Sequence, residues 1–395
     1  MSEKMKTCDL AGVVSEFMVK RGWQVRACEG CGRTFFFKRL AKIETSSCGW
    51  HQCDKRVLAF LNFSKRKKML PPAKINAMMR EYFVSSGFKL SPPLKIANLE
   101  GQTDLVVAGV QMFDDVIHKG QQTRECKLFV SQPCVRMQFQ PYVESQNGTS
   151  TSFVNVCTEK MGATLDEHLQ IVDCWCTMLS RLGLHMNDFI VVMRTSANDW
   201  GTGQFSALEL FFSYGGLELG DAAYMQIPQA NRASIPISDV GFGLERIAWA
   251  INKTDSYFDL LIPGTSDGAR EMFDLYRTLS LIVLCGVQAT NKGPGLQFRR
   301  IAKMLSEKYF DKNLFRILLY YFDYWGQFLT PFVSRESAVQ LARLEIERFI
   351  NLRVCKKLNL PQPRDETTED YFNRLVYAHK INICELRRAI QTCKK

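Results

Sequence analysis

Asp239-Val-Gly-Phe-Gly-Leu-Glu-Arg246 sets an acid and an arginine at the two ends of a glycine-bearing stretch that runs straight into Ile-Ala-Trp-Ala-Ile-Asn. The pattern predicts a short strand that turns into a helix at Arg246. Gly241 and Gly243 carry no side chain, so backbone and a flat ligand can approach closely there. Arg246 then offers a planar, permanently charged fork suited to a polyphosphate. The plainer reading is a strand-to-helix turn with a surface salt bridge. A second chemical cluster lies near the N-terminus, where Cys28-Glu-Gly-Cys31 and Cys48-Gly-Trp-His-Gln-Cys53 form two close thiol pairs. Cys28, Cys31, Cys48 and Cys53 are the ligand set of a tetrahedral structural zinc, with His51 competing for the fourth place. Buried free thiols are the alternative.

Upstream of the first stretch stands Val130-Ser-Gln-Pro-Cys-Val-Arg136, an apolar strand ending in an arginine. A polar, turn-rich loop from Glu144 to Ser152 follows, and apolar residues resume at Phe153. Together the two stretches resemble motifs 2 and 3 of a class II aminoacyl-tRNA synthetase, specifically the archaeal type of alanyl-tRNA synthetase. The resemblance implies that Arg136 holds the α-phosphate of ATP and Arg246 the γ-phosphate. It also places Phe153 and Gly243 with the nucleotide, Gly241 and Asp239 with the amino acid, and Glu209 with ATP or its Mg²⁺. Asp239 matches the aspartate that receives the α-amino group of alanine. The chemistry is coherent by itself. A carboxylate attacking an α-phosphate needs like charges screened, and fixed arginines do so without reorganisation.

The fold implied is α+β: a class II antiparallel sheet flanked by helices, with an N-terminal zinc-ribbon-like segment and a C-terminal helical domain. The expected boundaries are residues 1–64 for the helix and zinc segment, 70–265 for the catalytic domain and 268–395 for a helical tRNA-recognition-like domain. Apolar periodicity predicts helices over 9–22, 73–87 and 164–183, with Gly22 and Gly87 as stops. Strands are expected around 128–143, 152–157 and 188–194, and a strand plus turn over Asp104-Leu-Val-Val-Ala-Gly-Val-Gln-Met-Phe-Asp-Asp.

The 395 residues carry a formal charge of +11, concentrated in Lys65-Arg-Lys-Lys68 and after residue 292, which fits a phosphate-rich partner. A generic basic surface is the competing account. No apolar run is long enough to span a bilayer, and 14 cysteines without a secretory leader point to a reducing, cytoplasmic setting. The Asn147-Gly-Thr sequon then reads as an unmodified loop. By resemblance, Asn291 in Gly286-Val-Gln-Ala-Thr-Asn291-Lys-Gly-Pro-Gly295 reads a base pair of the tRNA acceptor stem; a helix-capping asparagine is the alternative. ATP, Mg²⁺ and Zn²⁺ are the cofactors implied, alanine and tRNA the partners, and a monomer or homodimer the assembly.

Several positions depart from the family pattern. Val154 falls where a glutamate reads adenine, the 144–150 loop carries no arginine or histidine, and the proline and cysteine expected before Glu209 are missing. Lysines near Cys355 replace an aspartate, and none of the five histidines forms the His-x-x-x-His pair of an editing site. The expectation is therefore an alanine-tRNA ligase-like enzyme without editing and C-terminal domains. The alternatives are a paralogue with a non-tRNA acceptor, or a regulatory RNA-binding protein with a decayed pocket.

Overall fold

Glycines in the left-handed region close the first two helices, as their spacing predicts. α1 (Thr7–Lys20) stops before Gly22 at φ +77, and α2 (Pro72–Ser85) before Gly87 at φ +85. The computed structural model describes residues 7–39, 46–49, 58–97, 103–119, 126–145, 148–200, 203–229, 232–262, 270–308 and 314–392. Its contacts divide the chain into two units. The first comprises Met1–Leu94, Ala108–Gln132 and Phe153–Leu261; the second comprises Lys95–Val107, Pro133–Ser152 and Ile262–Lys395.

The first unit is built on the sheet. Its strands are β1 (Trp23–Ala27), β2 (Thr34–Lys38), β3 (Lys89–Leu90), β4 (Leu128–Val135), β5 (Ser152–Met161), β6 (Phe189–Trp200), β7 (Gly203–Tyr214), β8 (Leu217–Gln229) and β9 (Arg232–Gly243). They lie in the order β1-β2-β6-β7-β8-β9-β5-β4-β3. The described pairings are antiparallel except β3 with β4, which is parallel. The β1–β2 hairpin extends this sheet, with Phe36 of β2 in register with Val191 of β6.

Side-chain alternation divides the sheet into two faces. On one, α2 and α4 (Leu165–Arg181) pack an aromatic wedge: Trp175 stacks on Phe242 at 4.6 Å and meets Phe83 at 4.7 Å. The indole Nε1 of Trp175 donates to Thr158 at 2.8 Å, so its polar edge is satisfied in the core. On the other face, α3 (Asp114–Lys119) and the 3₁₀ turn Gly109–Phe113 cover Cys157, Met161, Ala223, Met225 and Ile237. α4 starts on a capping box between Thr164 and Glu167. α5 (Leu244–Asn252) follows β9 directly.

The second unit is chiefly helical: α6 (Arg270–Leu284), α7 (Gly293–Lys308), α8 (Leu314–Trp325), α9 (Arg335–Leu358), α10 (Thr368–His379) and α11 (Ile383–Thr392). Leu375 and Leu386 pack with Val354 to close its C-terminal cluster. No described helix is long and apolar enough to cross a membrane.

Two local expectations are corrected. β4 ends at Val135, and Met137–Tyr142 forms a 3₁₀ turn instead of more strand. Pro141 lies in that turn, and a proline has no N–H to give a ladder. The stretch from Asp104 holds only a bridge between Ala97 and Leu105 before it winds into the 3₁₀ turn and α3. β5 and β6 run longer than expected, reaching Met161 and Trp200.

Candidate functional site

Asp239 sits near the end of β9, on the sheet face opposite the aromatic wedge. Cross-strand register aligns a row through it: Glu159 of β5 faces Asp239, Asp239 faces Ala223 of β8, Ala223 faces Glu209 of β7, and Glu209 faces Arg194 of β6. Directly paired residues share a face, so these side chains rise on one side of the sheet. The next row on that face is Cys157, Gly241, Asp221 and Phe211. Asp239 and Glu209 are thus brought into one row, separated by the small side chain of Ala223.

Glu159 is the least expected member. It is 0% exposed. Burial first, then the charges of Asp239 and Asp221, push its carboxyl well above the ordinary carboxylate range. Gly109 lies over it so closely that a Cβ there would stand 3.0 Å from Glu159 Oε1 and 2.1 Å from Cys157 Sγ. Glu159 sits on no motif, and Asn155, Thr158 and Lys160 in the same strand leave it without a distinguishing signal in the sequence.

Glu209 is held by Arg194, whose Nε lies 2.7 Å from Oε2, and Arg194 in turn covers the Phe211 ring at 4.4 Å. Arg246 enters from the first turn of α5. Its Nη1 donates to the Glu218 carbonyl at 3.0 Å, with the Glu218 carboxylate at 3.7 Å. Glu245, fully buried, accepts the Val154 N–H with both carboxylate oxygens, which ties β5 to the start of α5.

That bond holds the Val154 backbone in place. Its side chain is buried on the wedge side, and alternation puts Phe153 and Asn155 on the site face instead. Asn155 offers an amide with both donor and acceptor there. Gly241 makes room for it, since a Cβ at 241 would lie 2.8 Å from Asn155 Oδ1. A Cβ at Gly243 would meet only the stem of Arg246, at 3.7 Å or more.

Arg136 belongs to the second unit. Its backbone N–H bonds the Thr151 carbonyl at 2.7 Å, and its Nε donates to Val107 O at 2.9 Å. Asp274 of α6 fixes this loop base, accepting from the Thr151 N–H at 2.8 Å and from its hydroxyl. Burial lifts Asp274 to about 6 against those hydrogen bonds. Asn291, just before α7, accepts from Arg299, and Arg299 pairs with Glu345 at 3.2 Å.

At the end of the β1–β2 hairpin, Cys28, Cys31 and Cys48 place their sulfurs within 4.8 Å of one another. Cys31 and Cys48 are 3.6 Å apart, close to the edge of about 3.8 Å expected for a tetrahedral thiolate site. Burial alone would raise the Cys28 thiol, but the N–H groups of Cys48, Gly30 and Cys31 directed at it bring it down to about 6. Thiolate stabilisation of that kind fits a zinc ligand. Cys53 and His51 lie outside the described residues.

Fold and site thus define a mixed α/β protein with a nine-stranded sheet, an acidic row backed by an arginine, an N-terminal cysteine cluster and a helical C-terminal region. In sequence it is similar to archaeal alanine–tRNA ligases. The ligase of Methanococcoides burtonii is 24% identical over 269 residues, 63% of this chain and 28% of that protein. Those of Methanothrix thermoacetophila and Methanosarcina acetivorans are 23% and 25% identical, over 66% and 63% of this chain. The chain spans less than a third of these relatives, 28% to 29% of their length. No family model matches it. Among solved structures, a pyrrolysyl tRNA synthetase of Desulfitobacterium hafniense aligns with a TM-score of 0.35 and 15% identity, covering 49% of this chain and 71% of that one.

Proposed function

We propose that this protein activates a small amino acid, alanine foremost, with ATP and passes the acyl group to a tRNA acceptor end in a cytoplasmic setting. The amino acid carboxylate attacks the α-phosphorus, pyrophosphate leaves, and the aminoacyl-adenylate then acylates a tRNA hydroxyl with release of AMP. The observation that carries this reading is the continuous β9–α5 turn. It presents Asp239 on the acidic face at one end and Arg246, anchored by Glu218, at the other. Similarity to alanine–tRNA ligases over 63% of this chain supports it.

In this reading Asp239 takes the substrate ammonium beside Gly241, and Arg246 with Gly243 and Phe153 borders the nucleotide. By the sequence resemblance Arg136 is a phosphate-binding arginine and Asn291 a contact to the acceptor stem. Mg²⁺ would supply charge neutralisation when bound, and Glu209 is its ligand by type. Positioning and electrostatics suffice, because the reaction needs no side-chain nucleophile. Cys28, Cys31 and Cys48 would hold a structural Zn²⁺.

Alanine-dependent ATP–pyrophosphate exchange, with and without tRNA, is the test. Exchange with alanine supports the reading, and no exchange with any proteinogenic amino acid ends it. The engagement of Glu209 by Arg194 favours a second reading, an RNA-binding protein with an altered pocket. That reading requires salt-sensitive tRNA binding in the absence of exchange.

A further inference from the structure

A cavity of about 340 Å³ lies in the first unit between α1, the open end of the β1–β2 hairpin and α4. None of these elements carries a member of the acidic row. The volume falls in the lower part of the range of about 300–1,000 Å³ typical of small-molecule sites. Met18, Trp23, Val172 and Met186 give it an apolar lining, and Cys176 adds a thiol. Three charged side chains reach it: Arg21, Lys38 and Asp173. Arg21 is committed to Asp173, with Nε 2.9 Å from Oδ1 and Nη2 3.3 Å from Oδ2, and its guanidinium lies on the Phe17 ring at 3.6 Å. Lys38 has no such counter-ion. Its Nζ donates to the Arg21 carbonyl at 2.5 Å and stands 4.7 Å from the centre of the Trp23 ring. An ammonium has three donors, so two are left without an acceptor among the described residues.

We propose that this cavity binds a small monocarboxylate with an apolar body, its carboxylate on Lys38 and its body against Met18, Trp23 and Val172. The charge balance of the lining decides the class. Two cations and one carboxylate leave one net positive charge, and it resides on Lys38 because Arg21 and Asp173 neutralise each other. Burial, then the charge of Asp173, push the Cys176 thiol up to about 12, so it stays neutral beside the ammonium. The hydroxyls are already used: Thr177 donates to the Asp173 carbonyl at 3.0 Å and Ser180 to the Cys176 carbonyl at 2.8 Å. A carboxylate gives Lys38 the charge-assisted bond it lacks, which offsets the burial that lowers the pKa of its ammonium. A polyphosphate would set several negative charges against one uncompensated cation and beside Asp173, and an amine would meet Lys38 with like charge. The apolar body leaves water for the lining of Met18, Trp23 and Val172.

The test uses the full chain, with indole-3-acetate and 4-methylpentanoate as probes and indole-3-acetamide as the neutral counterpart of the first. Calorimetric titration at neutral pH should show saturable binding of both acids, with indole-3-acetate about tenfold tighter than its amide. Lys38→Met keeps the apolar stem but should bind the acid about tenfold more weakly and lose the preference over the amide. Lys38→Arg should retain that preference. If Lys38→Met does not fold, the comparison of acid and amide in the wild type still decides. No saturable binding of either acid, equal affinity for acid and amide, or an undiminished preference in Lys38→Met overturns the proposal. Displacement of indole-3-acetate by ATP also overturns it, because the probe would then occupy a nucleotide site.

Discussion

Arg194 and Glu209 face each other across β6 and β7, with Nε 2.7 Å from Oε2 and the guanidinium plane backed by Phe211. The Glu209 side chain is only 12% exposed, so removing Arg194 leaves its carboxylate with little solvent to replace the partner. Arg194→Leu should destabilise the protein by about 1–3 kcal/mol, and adding Glu209→Gln should recover part of that loss. Urea unfolding of both single variants and the double variant measures the coupling. Additive losses would show that the pair contributes nothing together.

Arg246 is anchored by Glu218 at the start of α5, and in the reaction proposed above it meets the charge that develops in the transition state. Arg246→Ala should lower ATP–pyrophosphate exchange on the order of 10²–10³-fold while leaving thermal stability close to that of the wild type. A variant with undiminished exchange would remove Arg246 from the chemistry.

The thiols of Cys28, Cys31 and Cys48 converge on one point, and Phe35 and Phe37 of the sheet pack against them. Freshly purified protein should carry one zinc per chain. Chelation or Cys48→Ser should lower the melting temperature by loosening this edge of the sheet. Metal analysis well under one equivalent would argue for plain buried thiols.

His168 and Glu159 act oppositely on pH dependence. His168 is buried against Ser238 at 2.8 Å, and burial holds it down to about 3 from its ordinary 6.5. The unfolded chain therefore binds the extra proton between those values. Stability is full above 6.5 and falls on acidification, by up to about 1.4 kcal/mol per pH unit. Glu159 is raised above its ordinary 4.5, so its contribution is complete at low pH and is lost as pH climbs above 4.5. Denaturant unfolding across pH should show a flatter acid limb in His168→Gln and a flatter alkaline limb in Glu159→Gln. Unchanged limbs would contradict these assignments.

Gly109 leaves no room for a side chain. A Cβ at 109 would stand 2.1 Å from Cys157 Sγ, inside a packed core. Gly109→Ala should cost about 1–3 kcal/mol, and Cys157→Ala in the same chain should relieve part of it. Equal stability of Gly109→Ala and wild type in thermal unfolding would show that the turn shifts freely.

Local patterns in the sequence carried much of this description. Gly22 and Gly87 mark helix ends, Asp239 to Arg246 reads as a strand entering a helix, and the spacing of Cys28, Cys31 and Cys48 points to a shared metal site. Each of these is decided by neighbours within a turn or a hairpin, where backbone geometry and side-chain type act directly. The acidic row was not legible in that way. Glu159 meets Asp239, and Arg194 meets Glu209, only because strands pair in one register, and a slip of one residue would send each side chain to the other face. The same parity puts Phe153 and Asn155 on the site face and Val154 in the core. Tertiary structure alone decided these relationships, because register is set by hydrogen bonds and packing between segments far apart in sequence.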